Sequence, residues 1–301
     1  MIEIALLGPT ASGKSALSID LAQILNANIL SLDSLSIYKE IDIASAKPTM
    51  SQREGIVHFG IDEIFPNEEF SVARFFDFYK KAKETSLQRD KNLIIVGGTS
   101  FYLKAMLEGI SPKPTISEEI KATVKKELKN GYNLMKKIDP SYSLQIDPND
   151  SYRIEKWLEI WFQTNEVPSR YFEKNKRVPV IKNIKLYEIE VKRDQLRENI
   201  LKRTKHMLKS GLIDEVFYLE KKYGRNLNPL KAIGIKETLD FLDGKLSKNE
   251  LIEKISIHTS QLAKRQQTFN KTQFPKHTVA PKEEITKIVL NSVHKSLSKS
   301  F

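Results

Sequence analysis

A phosphate-binding loop near the N-terminus limits the folds open to this chain more than any other segment. In GPTASGKS (8–15), Gly8, Gly13, Lys14 and Ser15 match the spacing G-x-x-x-x-G-K-S/T of loops that cradle phosphate. The apolar run IEIALL precedes the loop, and SALSIDLAQIL follows it with apolar residues at helical spacing. The motif therefore lies between a predicted strand and a predicted helix, which is the context that it requires.

Each part of this loop has a physical reason to bind an anion. Gly13 allows a close approach of the backbone, and the N–H groups of the loop and of the helix N-terminus point toward the bound group. Lys14 supplies a positive charge, and the Ser15 hydroxyl suits a bound Mg²⁺ ion. A chance match in a glycine-containing turn is the alternative, but the flanking strand and helix favour phosphate binding.

Strand and helix patterns alternate along the rest of the chain. Further strands are predicted in ANILSLDS (27–34), at the start of KNLIIVGGTSFYLKAML (91–107) and in IKLYEIEV (184–191). Behind a phosphate loop, this alternation predicts an α/β fold of P-loop type, a parallel sheet flanked by helices, with ligands at the carboxyl ends of the strands. Only helical patterns occur between Pro112 and about Lys182. We therefore predict a helical insertion domain at 113–182 within a catalytic core of 1–112 and 183–301.

Composition excludes some classes of site and permits others. The chain has no cysteine, which excludes disulfides and thiolate metal sites, and none of its five histidines pairs at zinc spacing. The net charge of +11 permits a polyanionic partner such as nucleic acid, although a lysine-rich proteome produces the same surplus. The longest apolar runs are strand-sized, and no signal-peptide pattern precedes the first strand. We expect a cytoplasmic, soluble monomer without membrane association.

A carboxylate follows the second predicted strand. Phosphoryl-transfer enzymes with this loop usually carry an acid at a strand end to hold Mg²⁺, but the strand in LIIVGG ends in Gly-Gly-Thr. Asp33, in LSLDSLSIY, is the nearest strand-end acid and faces the same crevice as the loop. It could orient a metal, act as a base toward an acceptor, or cap a turn. The spacing alone leaves these three roles open.

Seven segments together resemble the tRNA dimethylallyltransferase family, also called tRNA isopentenyltransferases. In order, they are GPTASGKS (8–15), DSLSIYKEIDIASAKP (33–48), VGGTSFYLKAML (96–107), NDSYRIEKWLEIW (149–161), KSGLIDEV (209–216), AIGIKE (232–237) and QLAKRQQTF (261–269). The resemblance covers about residues 1–275. It implies transfer of a dimethylallyl group from dimethylallyl diphosphate to the exocyclic amine of the adenine 3′ of the anticodon in tRNA, with release of diphosphate.

The resemblance also implies roles for individual residues. The donor diphosphate would contact Gly8, Thr10, Ala11, Ser12, Gly13, Lys14, Ser15 and Arg203, with Mg²⁺ as the cofactor on Ser15. Asp33 would be the base toward the adenine amine, with the hydroxyls of Thr10 and Thr99 beside donor and acceptor. The anticodon stem-loop would contact Asp33, Ser34, Leu35, Ser36, Thr99, Tyr152, Arg153, Lys156, Lys264, Arg265, Gln266 and Phe269. Taken singly, such residues are more often solvated charges, turn hydroxyls or packed aromatics.

The sequence departs from the family pattern at three places. Ser36 stands where glutamine is common, IVHFGID replaces a paired-histidine PHHLID and leaves only His58, and TFNK (268–271) replaces TW followed by F or L and R. Without cysteines, the chain lacks the zinc finger that some members carry at the C-terminus.

Three other functions use some of the same features. A small-molecule kinase of the shikimate-kinase type also pairs such a loop with a strand-end aspartate, but it needs no helical insertion. An isopentenyltransferase acting on free adenine nucleotides would share the donor site. A non-catalytic RNA-binding protein would not need Lys14, Ser15 and Asp33 together.

Overall fold

The computed structural model of the chain describes residues 1–274 and 276–297. The chain forms two compact units, one comprising Met1–Lys104 and Ile181–Phe301, the other Ala105–Val180. The first boundary falls within a helix and the second falls just before the strand-forming segment of 185–190. The assignment of 113–182 to a helical insertion domain stays a prediction.

The first unit contains a parallel sheet of six strands within the described residues. They are β1 (Glu3–Leu7), β2 (Ala27–Leu32), β3 (His58–Phe59), β4 (Asn92–Gly97), β5 (Lys185–Glu190) and β6 (Thr278–Pro281), in the order β3-β2-β4-β1-β5-β6. The predicted α/β class with a parallel sheet flanked by helices is confirmed. The short strands β3 and β6 were not predicted.

The register of the sheet brings the strand ends together. Leu7 of β1 pairs with Gly97 of β4 and with Glu188 of β5, and Leu32 of β2 also pairs with Gly97. All four strands are parallel, so the loops that follow β1, β2 and β4 leave the same edge of the sheet. This edge is where a doubly wound fold binds its ligands.

Helices cover the sheet and continue beyond it. The first unit contains α1 (Lys14–Ile24), α2 (Val72–Gln88), α9 (Arg193–Lys209), α10 (Leu212–Tyr223), a 3₁₀ turn (Asn228–Lys231), α11 (Ile235–Leu242), α12 (Lys248–Gln273) and α13 (Lys282–Leu297). Helix α3 (Ser100–Glu108) contains the first unit boundary. The second unit contains α4 (Glu118–Glu127), a 3₁₀ turn (Leu128–Asn130), α5 (Gly131–Ile138), α6 (Pro140–Ser143), α7 (Ser151–Thr164) and α8 (Pro168–Lys174).

Apolar strands fix the sheet between helical layers. Ile4 and Leu6 are almost fully buried against Leu21 of α1 and against Ile285 and Val289 of α13. Burying one such side chain contributes roughly 1.5–3 kcal/mol relative to leaving it in water. The C-terminal helix is therefore part of the core. No helix within residues 1–274 and 276–297 combines the length and the apolar character needed to span a bilayer.

A second cluster joins the segment after β2 to the helices α10 to α12. Ile37 and Ile41 of that segment are buried with Val216 of α10, Ile235 of α11 and Leu251 of α12. This packing holds the segment 33–48 at the carboxyl edge of the sheet. The buried residues of this layer come from two distant parts of the chain, 37–64 and 207–255.

The second unit has its own core, built from α4, α5 and α7. Trp157 is buried there, and its indole N–H donates to the carboxylate of Asp139 at 3.2 Å. Gly131 lies where a Cβ would be 2.6 Å from Ile154 and 2.9 Å from Leu158, so α5 and α7 can approach closely only with glycine at that position. The unit therefore has a specific packing of its own.

Candidate active site

The phosphate loop begins where β1 ends and runs into α1. Its path needs left-handed backbone conformations at Ala11 (φ 66°) and Gly13 (φ 84°). The Ser12 N–H donates to the Pro9 carbonyl at 3.2 Å, and the Lys14 ammonium donates to the same carbonyl at 2.7 Å. No side chain caps the N-terminus of α1, so the first N–H groups of the helix are available to an anion.

Two cations and two carboxylates interact at this edge of the sheet. Burial and the nearby Arg203 guanidinium lower the pKa of Lys14 to about 7, against the opposing effects of Asp33 and Glu188. Burial also lowers the pKa of Arg203, against the opposing effect of Asp33. The two cations repel each other in a poorly solvated place, so a bound polyanion would relieve an existing repulsion.

Two cavities open at the carboxyl edge and meet. The loop cavity, about 270 Å³, has lining residues that include Lys47, His58 and Ile61 and, from the phosphate loop, Thr10, Ala11, Gly13, Lys14, Ser15 and Ala16. The predicted donor contacts Gly8 and Ser12 do not line it, and Ser12 is buried. The helix cavity, about 460 Å³, is lined mainly by apolar side chains, which include Leu35, Phe101, Met207, Ile233 and Phe269. Five residues line both cavities: Thr10, Asp33, Ser45, Gly98 and Arg203. These five residues mark the junction of the two spaces.

Asp33 lies at this junction with one oxygen engaged. Its Oδ1 accepts hydrogen bonds from the N–H groups of Leu35 at 2.8 Å and Ser36 at 3.1 Å, so it does cap the turn after β2. Its Oδ2 has no hydrogen-bond partner among the residues that the structure describes. The carboxylate is thus held in a fixed orientation by one oxygen while the other can serve a ligand.

The residues around Asp33 differ in their access to ligands. The Thr99 hydroxyl accepts a hydrogen bond from the Ser34 N–H at 3.3 Å, which ties the β4–α3 turn to the segment after β2. Ser34, Leu35 and Thr99 line the helix cavity. Ser36 is only 3% exposed, lies 3.1 Å from the Ser31 hydroxyl and lines the loop cavity instead.

Helix α12 brings three of its four predicted site residues to the helix cavity. Arg265, Gln266 and Phe269 line that cavity. The Gln266 amide accepts from the Thr10 N–H and donates to the Gly98 carbonyl. Lys264 lies on another face of the helix, in a groove between α9 and α12 that also includes Arg193 and Arg197.

The remaining predicted residues belong to the second unit. Tyr152, Arg153 and Lys156 lie on α7, with Tyr152 68% exposed and Arg153 3.4 Å from Asp150. The Lys156 ammonium is 5.6 Å from the Tyr152 ring centroid and is paired with carboxylates of its own helix. Tyr152 and Arg153 are therefore exposed on α7, beside the half-buried and already paired Lys156.

The sequence analysis missed a carboxylate that holds the wall of both cavities. Glu215 of α10 accepts three backbone hydrogen bonds, from Asp42 at 2.9 Å, Ile43 at 2.7 Å and Ala44 at 2.9 Å. Burial raises the pKa of Glu215 despite these bonds. Ala44 lines the helix cavity and Ser45, next to it, lines both cavities. The segment KSGLIDEV contains Glu215, but the residue pattern of this segment does not predict hydrogen bonds to backbone N–H groups about 170 residues away.

Lys47 is a second functional candidate that sequence reasoning missed. Its ammonium is nearly buried and contacts Asp42 at 2.8 Å, Asp62 at 2.5 Å and the Tyr38 carbonyl at 2.8 Å. These three contacts fix the segment after β2 at its far end. Lys47 also lines the loop cavity, although its charge is already balanced by Asp42 and Asp62.

Comparisons with known proteins find relatives of a single enzyme family. A family model described as IPP transferase matches residues 36–273. The tRNA dimethylallyltransferase of Nautilia profundicola is 56% identical over 290 residues, which are 96% of this chain and 99% of that protein. The crystal structure of a tRNA isopentenylpyrophosphate transferase from Staphylococcus epidermidis is similar with a TM-score of 0.70 at 31% identity, over 100% of this chain and 99% of that one. A eukaryotic dimethylallyltransferase acting on tRNA gives a TM-score of 0.81 at 26% identity, over 99% of this chain and 78% of that one.

Proposed function

Because the chain belongs to the IPP transferase family, we propose that it transfers a dimethylallyl group from dimethylallyl diphosphate to the exocyclic amine of the adenine 3′ of the anticodon in tRNA, with release of diphosphate. The junction of the loop cavity and the helix cavity at Asp33 is the observation that carries this proposal. A group transfer needs two binding spaces that meet at the reacting atoms.

The loop cavity suits the donor diphosphate. The free N–H groups at the start of α1, the Lys14 ammonium and the Arg203 guanidinium supply donors and positive charge. The C–O bond of the donor breaks as the allylic carbon gains positive charge, and the departing diphosphate takes the electron pair. Charge fixed in advance at the leaving group is the main way in which such a site lowers the barrier. Diphosphate is therefore the product that the loop retains.

Mg²⁺ fits the same place through Ser15. This hydroxyl is exposed at the start of α1, and no cluster of three or more His, Cys, Asp or Glu side chains within the described residues could hold a metal alone. A single hydroxyl is enough because Mg²⁺ keeps several water ligands and is commonly held through substrate phosphates. The ion would add positive charge opposite the leaving diphosphate.

Asp33 supplies the proton acceptor for the adenine amine. The amine is conjugated with its ring and sheds a proton as its nitrogen forms the new bond to the allylic carbon. Asp33 Oδ2 can take that proton, while Oδ1 keeps its bonds to the backbone of Leu35 and Ser36. The Thr10 hydroxyl, on the phosphate loop, and the Thr99 hydroxyl, on the turn between β4 and α3, would orient the donor and the acceptor.

The helix cavity suits an adenine that has left the RNA stack. Anticodon-loop bases are already single-stranded, which lowers the cost of exposing one. Phe269 and Phe101 offer aromatic surface for stacking, and Arg265 offers a charge for a neighbouring phosphate. We propose further RNA contacts at Tyr152, Arg153 and Lys156 on α7 and a phosphate contact at Lys264.

We also propose that the enzyme acts as a monomer in the cytoplasm. Light scattering tests the oligomeric state, and cell fractionation tests the location.

One experiment separates this function from the alternatives. Labelled dimethylallyl diphosphate is incubated with the protein and Mg²⁺ together with unmodified tRNA, the same tRNA with guanine at the acceptor position, AMP, or no acceptor. Label should enter only the unmodified tRNA, and ATP should be neither required nor converted to ADP. Equal labelling of AMP would indicate an enzyme of free nucleotides, and stoichiometric ADP would indicate a kinase.

A further inference from the structure

The Gln266 side chain joins two loops at the carboxyl edge of the sheet. From α12, its Oε1 accepts a hydrogen bond from the Thr10 N–H at 2.8 Å, and its Nε2 donates to the Gly98 carbonyl at 3.0 Å. Thr10 belongs to the phosphate loop, and Gly98 belongs to the turn between β4 and α3. One amide group therefore connects the two loops that border the junction of the cavities.

Gly98 has no side chain where the Gln266 amide contacts its backbone. The three heavy atoms nearest to a Cβ built on Gly98 all belong to Gln266, and the Cβ would overlap the amide nitrogen. The backbone of Gly98 lies outside the left-handed region, so an alanine could adopt its conformation. A side chain at this position would therefore displace the Gln266 amide, which is the free end of a flexible side chain.

The connection extends to the residues beside Asp33. Thr99 follows Gly98, and its own N–H donates to the Leu32 carbonyl at 3.0 Å while its hydroxyl accepts from the Ser34 N–H at 3.3 Å. Any displacement of the Gly98 carbonyl would therefore shift the Thr99 hydroxyl. On the donor side, the hydrogen bond at Thr10 fixes the phosphate loop two residues beyond Gly8.

We propose that Gln266 is a positioning residue for the transfer reaction, because it fixes the separation between the loop that binds the donor and the turn that carries Thr99. This inference rests on the proposed function. It differs from the RNA contact predicted from the sequence, since the amide carbonyl and one amide N–H are already engaged by protein backbone. Reacting atoms must lie about 3–3.5 Å apart, and a misplacement of about 1 Å can cost about 10²-fold in rate.

Two single substitutions break this connection from opposite sides. Gln266→Ala removes both hydrogen bonds, and Gly98→Ala keeps Gln266 but displaces its amide. Each should lower the single-turnover rate at saturating donor and tRNA by about 10- to 100-fold, with the Kd for an anticodon stem-loop within about twofold of wild type. Gln267→Ala, at the next and exposed position of α12, is the matched control and should keep the wild-type rate and Kd.

The double variant distinguishes one shared contact from two separate defects. Once residue 266 is alanine, a Cβ at position 98 no longer meets the amide. Adding Gly98→Ala to Gln266→Ala should therefore leave the rate within about twofold of the Gln266→Ala rate, because coupled positions are not additive. Losses that multiply would overturn the inference.

Gln266→Glu keeps the side-chain volume and guards against a failure of the alanine variant to fold. Its carboxylate can still accept from Thr10, but it faces the Gly98 carbonyl without a hydrogen to donate, so its rate should also fall. A Gln266→Ala enzyme with a wild-type rate would overturn the inference, and a raised Kd for RNA would then make Gln266 an RNA contact. Absence of transfer by the wild-type protein contradicts the proposed function, whereas active variants beside an active wild type contradict the positioning role alone.

Discussion

Glu215 gives the sharpest test of how the wall of both cavities is held. Its carboxylate accepts the N–H groups of Asp42, Ile43 and Ala44, and Glu215→Ala removes all three bonds. The Ala44 residue is buried, so its orphaned N–H costs about 1–3 kcal/mol. The half-buried Ile43 N–H adds about 1 kcal/mol, whereas the exposed Asp42 N–H is rehydrated at little cost. The free energy of unfolding should fall by roughly 2–4 kcal/mol.

Glu215→Gln should have a smaller effect in the same direction. Its amide oxygen can keep the bonds to Asp42 and Ile43, but its amide N–H group then faces the Ala44 N–H, donor against donor. We expect a loss of about 1–3 kcal/mol in urea unfolding with an unchanged slope. The single-turnover rate should also fall by up to about 10²-fold, because Ser45 lines both cavities next to the released segment.

Asp214→Asn is the matched control for this prediction. Asp214 is exposed and lies in the same first turn of α10, so its substitution removes an equal charge from the positive end of the helix. It should change stability by less than about 1 kcal/mol and leave the rate unchanged. Equal effects of Asp214→Asn and Glu215→Gln would refute the reasoning, because they would reduce the role of Glu215 to an interaction with the helix dipole.

Three further predictions concern charged groups of the site. Donor affinity should fall as the pH rises above about 7, because Lys14 has a pKa of about 7 in the free enzyme and its neutral amine attracts diphosphate less. Calorimetric titration of dimethylallyl diphosphate from pH 7 to 9 should show this fall for the wild type. The affinity of Lys14→Arg should stay level over the same range, because its guanidinium stays charged. An equal fall of affinity with pH in both proteins would contradict the role of Lys14. Asp33→Asn should slow the single-turnover rate about 10²- to 10⁴-fold with little change in RNA binding, since asparagine can still cap the turn but cannot accept the proton. A wild-type rate at saturation would restrict Asp33 to turn capping. Arg265→Ala should raise the Kd of an anticodon stem-loop and make the slope of log affinity against log salt concentration shallower by about one. Lys264→Ala should have a smaller effect, because only Arg265 of these two residues lines the helix cavity. Equal effects of the two variants in titrations at several salt concentrations would contradict this difference.

Contiguous motifs were the part of the molecule that the sequence predicted well. The phosphate loop needs only neighbouring residues, so its spacing and its flanking strand and helix were enough to place it at the end of β1. Strands β3 and β6 have two and four residues, which is too short for a periodic pattern to stand out. Residues 193–223 form two helices, α9 and α10, which are separated at Gly211, where φ is 100°.

Contacts between distant segments could not be predicted from one sequence. Gln266 accepts a hydrogen bond from the N–H of Thr10, which lies 256 residues away in the sequence, and no local pattern predicts such a pair. The different positions of Lys264 and Arg265 could not have been foreseen from spacing, because the equally consecutive Arg265 and Gln266 both line the helix cavity. Burial of Ser36 could not have been foreseen either, since Ser36 meets the Ser31 hydroxyl of β2 only in the folded chain.

The loops at the carboxyl edge are each fixed by a helix from the C-terminal half of the chain. Asn199 of α9 donates to the Ala11 carbonyl at 3.2 Å, Glu215 of α10 holds the segment after β2, and Gln266 of α12 holds both the phosphate loop and the β4–α3 turn. A reactive allylic carbon must meet the adenine amine rather than water, and this requires loops that keep their separation before either substrate arrives. The strands bring the chemical groups to one edge, but the distances between those groups are set by α9, α10 and α12. Substitutions of Asn199, Glu215 or Gln266 should therefore change the rate of transfer even though the contacts they remove are contacts within the protein.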